Sequence, residues 1–155
     1  MNINKEDRII IERNALVEIS KTWIGTPYHD HEDKKGIGCD CAGLPKGVSV
    51  EAGYVEDFKL PYWDPQQWLR KGYEDKQYLE MMLRFTDEIK EEDVKAADFV
   101  LYKVAWSYTH GAIVVDWPNF VIHTVKGIGV TGSHGTNEGF LKGRKRRFFR
   151  LRRWI

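Results

Sequence analysis

Cysteine is scarce in this chain: two residues, Cys39 and Cys41, in 155. One residue separates them, so a bridge between them would be strained, and both are expected as free thiols. A disulfide scaffold is therefore not the source of stability, and at this length one hydrophobic core suffices. Net charge is lacking too. The 24 basic and 23 acidic side chains leave +1, which implies no global attraction to nucleic acid or membrane. No apolar run is long enough to span a bilayer. The chain has no internal repeat, no low-complexity tract and no dividing linker, so residues 1–155 read as one domain. The start, MNINKEDRII, is charged and quickly turns amphipathic, which is not the pattern of a secretory signal.

What the chain has is an order of elements. A first helix is expected from about Lys5 to Trp23, capped by Asn4, with Ile11, Ala15, Leu16, Ile19 and Trp23 on one stripe. A polar, glycine-punctuated loop runs from Gly25 to Asp40. A second helix reaches Ala52 and stops at Gly53. Asp57 to Pro65 is a turn-rich connector, and Asp64 or Pro65 opens a short helix that ends near Gly72. Another helix is expected from Asp75 to Phe85. Strands follow near Asp98–Lys103, His110–Val115, Phe120–Val125 and Gly129–Thr131, with a last one near Lys145–Trp154. Helices first and antiparallel strands afterwards define an α+β domain.

The chemistry concentrates at Asp40-Cys41-Ala42-Gly43-Leu44, where the loop turns into the second helix. A thiol at a helix start meets unpaired N–H groups and the positive end of the dipole, which favour thiolate. The same amides can hold an oxyanion. The competing reading is a buried cysteine acting as a small hydrophobe. Two histidines bear on the choice. His110 and His123 sit on the two strands of a hairpin whose turn is Asp116-Trp117-Pro118-Asn119. With a four-residue loop, Val115 pairs with Phe120 and His123 lies opposite Ala112, so both imidazoles share one face. A three-residue loop would separate them. A cysteine, a histidine and a second histidine supply a nucleophile, its base and a group that orients the base.

Trp23-Ile24-Gly25-Thr26-Pro27-Tyr28, then Gly36-Ile37-Gly38-Cys39-Asp40-Cys41-Ala42-Gly43-Leu44, then Ala97 to Tyr102, Thr109 to Val114 and Phe120 to His123 follow one another in order. Together they resemble the NlpC-type cell-wall cysteine peptidases, and more narrowly their phage and prophage tail members. The resemblance implies a compact papain-like fold, with the nucleophile at a helix start and the helices packed on an antiparallel sheet. It implies Cys41 as nucleophile, His110 as base and His123 as the orienting residue. Tyr28 would line the nucleophile's pocket, and Asp40 would help hold a free substrate amine. A helix cap is the other use for Asp40. Ala42 stands at a substrate-binding position where many members have serine, Ala97 replaces a usual glycine, and Pro45 falls early in the catalytic helix. Ala42 and Gly43 are small enough to let a substrate backbone approach. The partner implied is the peptidoglycan stem peptide, cut at an amide through a thioester, with phage tail proteins as carriers. No cofactor is implied. Without a secretion signal, a tail, a secretion machine or lysis would bring the enzyme from the cytoplasm to the wall.

Three further features compete for a role. His29, His31, Cys39 and Cys41 are zinc-type donors within one short loop, though at unusual spacing. The run from Lys142 to Arg153 is basic with aromatics inside it, a possible phosphate contact. It reads better as an edge strand, with Phe149, Leu151 and Ile155 inward and charges guarding the exposed side. Docking to an anionic wall polymer is a third use of that run. Tyr54, Phe58, Tyr62, Trp63, Trp68 and Tyr73 either rim the cleft or, the preferred reading, pack a peripheral helix onto the core.

Overall fold

The computed structural model describes residues 2–155. Helix α1 (Lys5–Thr22) leads to a short ribbon, β1 (Asp33–Lys34) with β2 (Gly38–Cys39), and then to α2 (Gly43–Glu51). Two further helices, α3 (Pro65–Trp68) and α4 (Gln77–Leu83), precede the strands β3 (Thr86–Ile89), β4 (Phe99–Val104), β5 (Ser107–Asp116), β6 (Phe120–Val125), β7 (Gly129–Ser133) and β8 (Arg146–Leu151). The six strands form one sheet in the order β3-β8-β4-β5-β6-β7, with antiparallel neighbours. The expected α+β architecture is what the chain adopts. No helix among the described residues is long and apolar enough to cross a membrane.

Asn4 caps α1 by accepting from Asp7 N at 2.8 Å. The buried face differs from the apolar stripe. It carries Arg13, Leu16, Val17 and Ser20, while Ile11 is 56 % exposed. Arg13 turns inward because the carboxylate of Asp98, wholly buried, lies 2.9 Å away and also takes two bonds from Arg150. Charge-assisted bonds offset the loss of hydration, which apolar counting cannot foresee.

Pro45 is the third residue of α2. A helix start leaves its first N–H groups without intrahelical partners, so the missing donor costs nothing there. Gly47 is needed because the Trp23 ring occupies the space a Cβ would take. Ala97 has φ +74°, a conformation that favours glycine. That accounts for the glycine the resemblance places there.

Three expectations are corrected. The helix expected to reach Phe85 ends at Leu83, and Thr86–Ile89 is a strand. TDEI has no apolar alternation to announce it; pairing with β8 creates it. Strand β8 is not an edge, because it lies between β3 and β4. Its arginines are satisfied by carboxylates: Arg146 by Glu91 and Arg147 by Glu88 at the surface, and Arg150 by the buried Asp98. Phe149 and Leu151 are buried as expected, whereas the strand ends at Leu151 and Ile155 is exposed. Lastly, the β5–β6 turn has three residues, Trp117–Asn119, since Asp116 pairs with Phe120. Val115 is an extra residue in β5, and this bulge restores the pairing of Ala112 with His123.

The sheet buries side chains on both faces. Phe99, Leu101, Ile113, Ile122 and Phe149 join Leu16, Leu44, Val48, Tyr78 and Met82 in the main core. Val100, Tyr102, Ala112, Val114, Val121 and Phe148 form a second cluster with Leu141. Of the connector aromatics, Trp63 is buried and stacks on Tyr78, with ring centroids 5.9 Å apart.

Candidate active site

Asp40 organises the loop that carries Cys41. Its Oδ1 accepts from Gly43 N at 2.7 Å and Ala42 N at 3.2 Å, and its Oδ2 accepts from His31 N at 2.9 Å. The carboxylate thus caps α2 and ties the loop to it. Burial pushes the Asp40 carboxyl above its usual range, and the three amides pull the other way. The backbone of Tyr28 bridges that of Cys39, which sets Tyr28 beside the same loop.

Cys41 lies two residues before α2 and is 7 % exposed. Its carbonyl accepts from the Tyr78 hydroxyl at 2.5 Å, and its thiol donates to the Thr109 carbonyl at 3.0 Å. Burial, and next the Asp40 charge, raise the thiol pKa well above the ordinary cysteine value; the Gly111 and Cys41 amides oppose them. The expectation of a helix-start thiolate is therefore reversed. The amides that would have faced sulfur, Ala42 and Gly43, are taken by Asp40.

A second bulge sets the histidine. Tyr102 pairs with His110 and Lys103 with Tyr108, which leaves Thr109 as the extra residue. His110 Nε2 lies 2.9 Å from His123 Nδ1, with the rings nearly perpendicular at 84°. Phe140 packs against the His110 ring, with centroids 4.9 Å apart. Burial, then His123 and Arg144, hold the His110 pKa down at about 3. Burial holds His123 at about 4. Both rings are neutral near pH 7, and one N–H is shared between the facing nitrogens.

Cys41, His110 and Tyr28 line one cleft of about 340 Å³, together with Thr109, Trp68 and Phe140. The Tyr28 hydroxyl donates to Asp30 at 3.0 Å. His123 stands behind His110, 3 % exposed. Asp40 and Ala42, 2 % and 0 % exposed, do not line the cleft. Nor does substrate space explain the small residue at 43: the Glu32 carbonyl fills the place of a Gly43 Cβ. The thiol and imidazole come from different sides. Cys41 belongs to the helix-side core, whereas His110 lies opposite Tyr102 of the second cluster. Among the described residues the thiol's hydrogen bond goes to Thr109 rather than to an imidazole.

Trp68 belongs to the aromatic set read mainly as packing, yet it walls the cleft. Thr109 and Phe140 had no sequence signal; a bulge and a short 3₁₀ turn at Gly139–Leu141 place them. The zinc reading finds no support in the geometry. Among the described residues no three His, Cys, Asp or Glu side chains converge as metal ligands, and His31 stacks on Tyr62 instead, 4.9 Å between centroids. Cys39 is fully buried, and burial pushes its thiol up to about 12.

This fold, four helices and an antiparallel sheet, is similar to that of NlpC/p60 domains. The NlpC/p60 domain of the peptidoglycan hydrolase SagA superposes with a TM-score of 0.56 at 20% identity, covering 87% of this chain and 96% of that one. An NlpC/P60 family protein from Bacillus cereus gives 0.62 at 17% identity, covering 90% of this chain and 40% of that one. RipD from Mycobacterium tuberculosis, a non-catalytic NlpC/p60 domain protein adapted to peptidoglycan binding, gives 0.53 at 14% identity over 90% and 96%. No family model and no curated protein matches the sequence.

Proposed function

We propose that this protein is a cysteine peptidase or amidase that hydrolyses amide bonds in peptidoglycan stem peptides. The observation that carries the reading is one cleft holding the Cys41 thiol and His110, with His110 bonded to His123. The likeness to the domain of the peptidoglycan hydrolase SagA supports the substrate class.

The reaction starts from a neutral thiol and a neutral imidazole. His110 takes the Cys41 proton as sulfur attacks the stem carbonyl, and the imidazolium that forms is held by His123. The Cys41 amide receives the oxyanion, joined by the Tyr28 hydroxyl once it turns from Asp30. His110 then gives its proton to the leaving amine, and a thioester remains. His110 next removes a proton from water; hydroxide addition expels the Cys41 sulfur, which regains the proton. The bond between D-glutamate and the diamino acid is the proposed target. Delivery by a phage or prophage tail, or release on lysis, would take the protein from the cytoplasm to the wall. The likeness of the GTPY and GCDCAGL stretches to tail members supports that route.

A second reading has an observation of its own. The thiol is engaged with the Thr109 carbonyl, and RipD is a non-catalytic domain of this fold. The protein would then bind peptidoglycan without cutting it. Digestion of purified murein, with mass analysis of the fragments, separates the two. New amino termini produced by wild type and lost in Cys41→Ala support hydrolysis. Binding to sacculi with no fragments supports the second reading.

A further inference from the structure

The basic stretch near the C-terminus divides into two chemically different halves. From Arg146 onward the arginines meet carboxylates: Arg146 with Glu91, Arg147 with Glu88, Arg150 with Asp98, Arg152 with Asp87 and Arg153 with Glu12. The preceding cations do not. Lys142, Arg144 and Lys145, with Lys103 from β4, make no ion pair among the described residues. These four line one groove of about 510 Å³, whose remaining wall includes Trp106, 41 % exposed.

The groove is built rather than incidental. Lys103 N donates to Lys145 O at 2.8 Å, which locks the β4–β5 hairpin to the segment before β8. Arg144 is fixed by the carbonyls of Phe140 and Lys103 and lies over the Phe140 ring, 4.2 Å from its centroid. Phe140 in turn touches His110. The groove therefore adjoins the catalytic cleft through two side chains. In a chain of net charge +1, four unneutralised cations around one hollow form a local positive field, and it faces solvent.

We propose that this groove binds a linear polyanion of the cell wall, a chain of phosphate-linked polyol units, and so holds the protein on its substrate. The proposal rests on the peptidoglycan reading above. Several cations spread along a hollow suit repeated charges better than a single carboxylate. Phosphate-linked wall polymer is favoured over nucleic acid because the groove adjoins the cleft proposed for stem peptides. An occupant attached to the wall would keep that cleft on its target.

The test uses labelled oligo(glycerol phosphate) and a single-stranded DNA oligonucleotide of equal charge, with the full chain carrying Cys41→Ala. Oligo(glycerol phosphate) is expected to bind, more weakly as salt rises. Lys103→Gln, Lys142→Gln and Lys145→Gln together should lower its affinity by about tenfold or more. The same three changes in the otherwise wild-type protein should leave hydrolysis of a small uncharged stem peptide unchanged. Unaltered binding by the triple variant overturns the groove. Tighter binding of DNA, lost in Trp106→Ala, overturns the choice of occupant, since stacking on bases would then be the interaction. Binding that depends on these lysines without any hydrolysis by wild type would leave the groove standing and remove the peptidase reading. Hydrolysis with lysine-independent binding would do the reverse.

Discussion

His110 Nε2 and His123 Nδ1 are 2.9 Å apart, so one proton serves both rings and fixes how His110 is turned. The base is expected to matter more than its support. His110→Ala should lower kcat/KM by about 10²–10⁴-fold, the usual range for a general base. His123→Asn should retain more activity than His123→Ala, because an amide still bonds the imidazole. Murein hydrolysis by the three purified variants checks the order, and equal wild-type rates would remove both residues from the site.

The buried imidazoles should also leave a mark on pH dependence. With His110 held at about 3 and His123 at about 4, kcat/KM should show no acid limb near 6.5. The sign for stability follows from linkage. Below 6.5 the unfolded chain binds protons on these histidines and the folded chain does not, so stability falls as pH drops from 6.5 toward 4. Each imidazole steepens the fall by up to about 1.4 kcal/mol per pH unit. Melting curves across that interval should be less steep in pH for His123→Asn than for wild type. An unchanged slope would mean that His123 already protonates in the folded state.

The two thiols make a third test. Both are buried with raised pKa values, Cys39 to about 12, so neither should alkylate at neutral pH as fast as an exposed cysteine. Cys41 lines the cleft and Cys39 does not. Cys41→Ala should abolish hydrolysis, while Cys39→Ala should keep most of it. Loss of activity only in Cys39→Ala would move the nucleophile to the wrong side of Asp40.

A fourth concerns the core. Asp98 is fully buried between Arg13 and Arg150. Asp98→Ala leaves two guanidinium groups without a carboxylate between them, each keeping only a backbone carbonyl, Ala96 for Arg13 and Asp93 for Arg150, and should cost about 3–5 kcal/mol. Urea unfolding measures it. A loss below about 1 kcal/mol, the scale of an exposed pair, would show that water reaches both arginines.

The same network shows where the sequence could be read and where it could not. The positions of α1 and α2 and the hairpin carrying both histidines are legible because each has a local signal: a cap, a period or a turn. What escaped depends on partners distant in sequence. Arg13 turns inward only because Asp98 is 85 residues away. Thr86–Ile89 becomes a strand only because β8 lies beside it. The histidine register was reached from a loop one residue too long, and the Val115 bulge made up the difference. Cys41, His110 and Tyr28, singled out by their motif, line one cleft. Asp40 and Ala42 belong to the same motif yet lie beneath the cleft wall. A motif records which residues occur together, not which of them face the ligand.

Asp40 carries the last prediction. Its two oxygens already accept three backbone N–H groups, which leaves little capacity for a substrate ammonium. In Asp40→Asn one oxygen can still cap Ala42 and Gly43, but the amide nitrogen then faces His31 N–H, donor against donor. Leaving such a buried group unsatisfied costs about 1–3 kcal/mol, so the variant should melt earlier. The rate ratio between matched stem peptides with free and acetylated amino termini should stay as in wild type. An amine-binding carboxylate behaves in the opposite way. Neutralising it would spare the fold and shrink that ratio, because a charge-assisted bond to the ammonium would be lost. Thermal unfolding and paired kcat/KM measurements on one preparation therefore separate a cap from a binding residue. A collapsed ratio at unchanged melting temperature would return Asp40 to the substrate site.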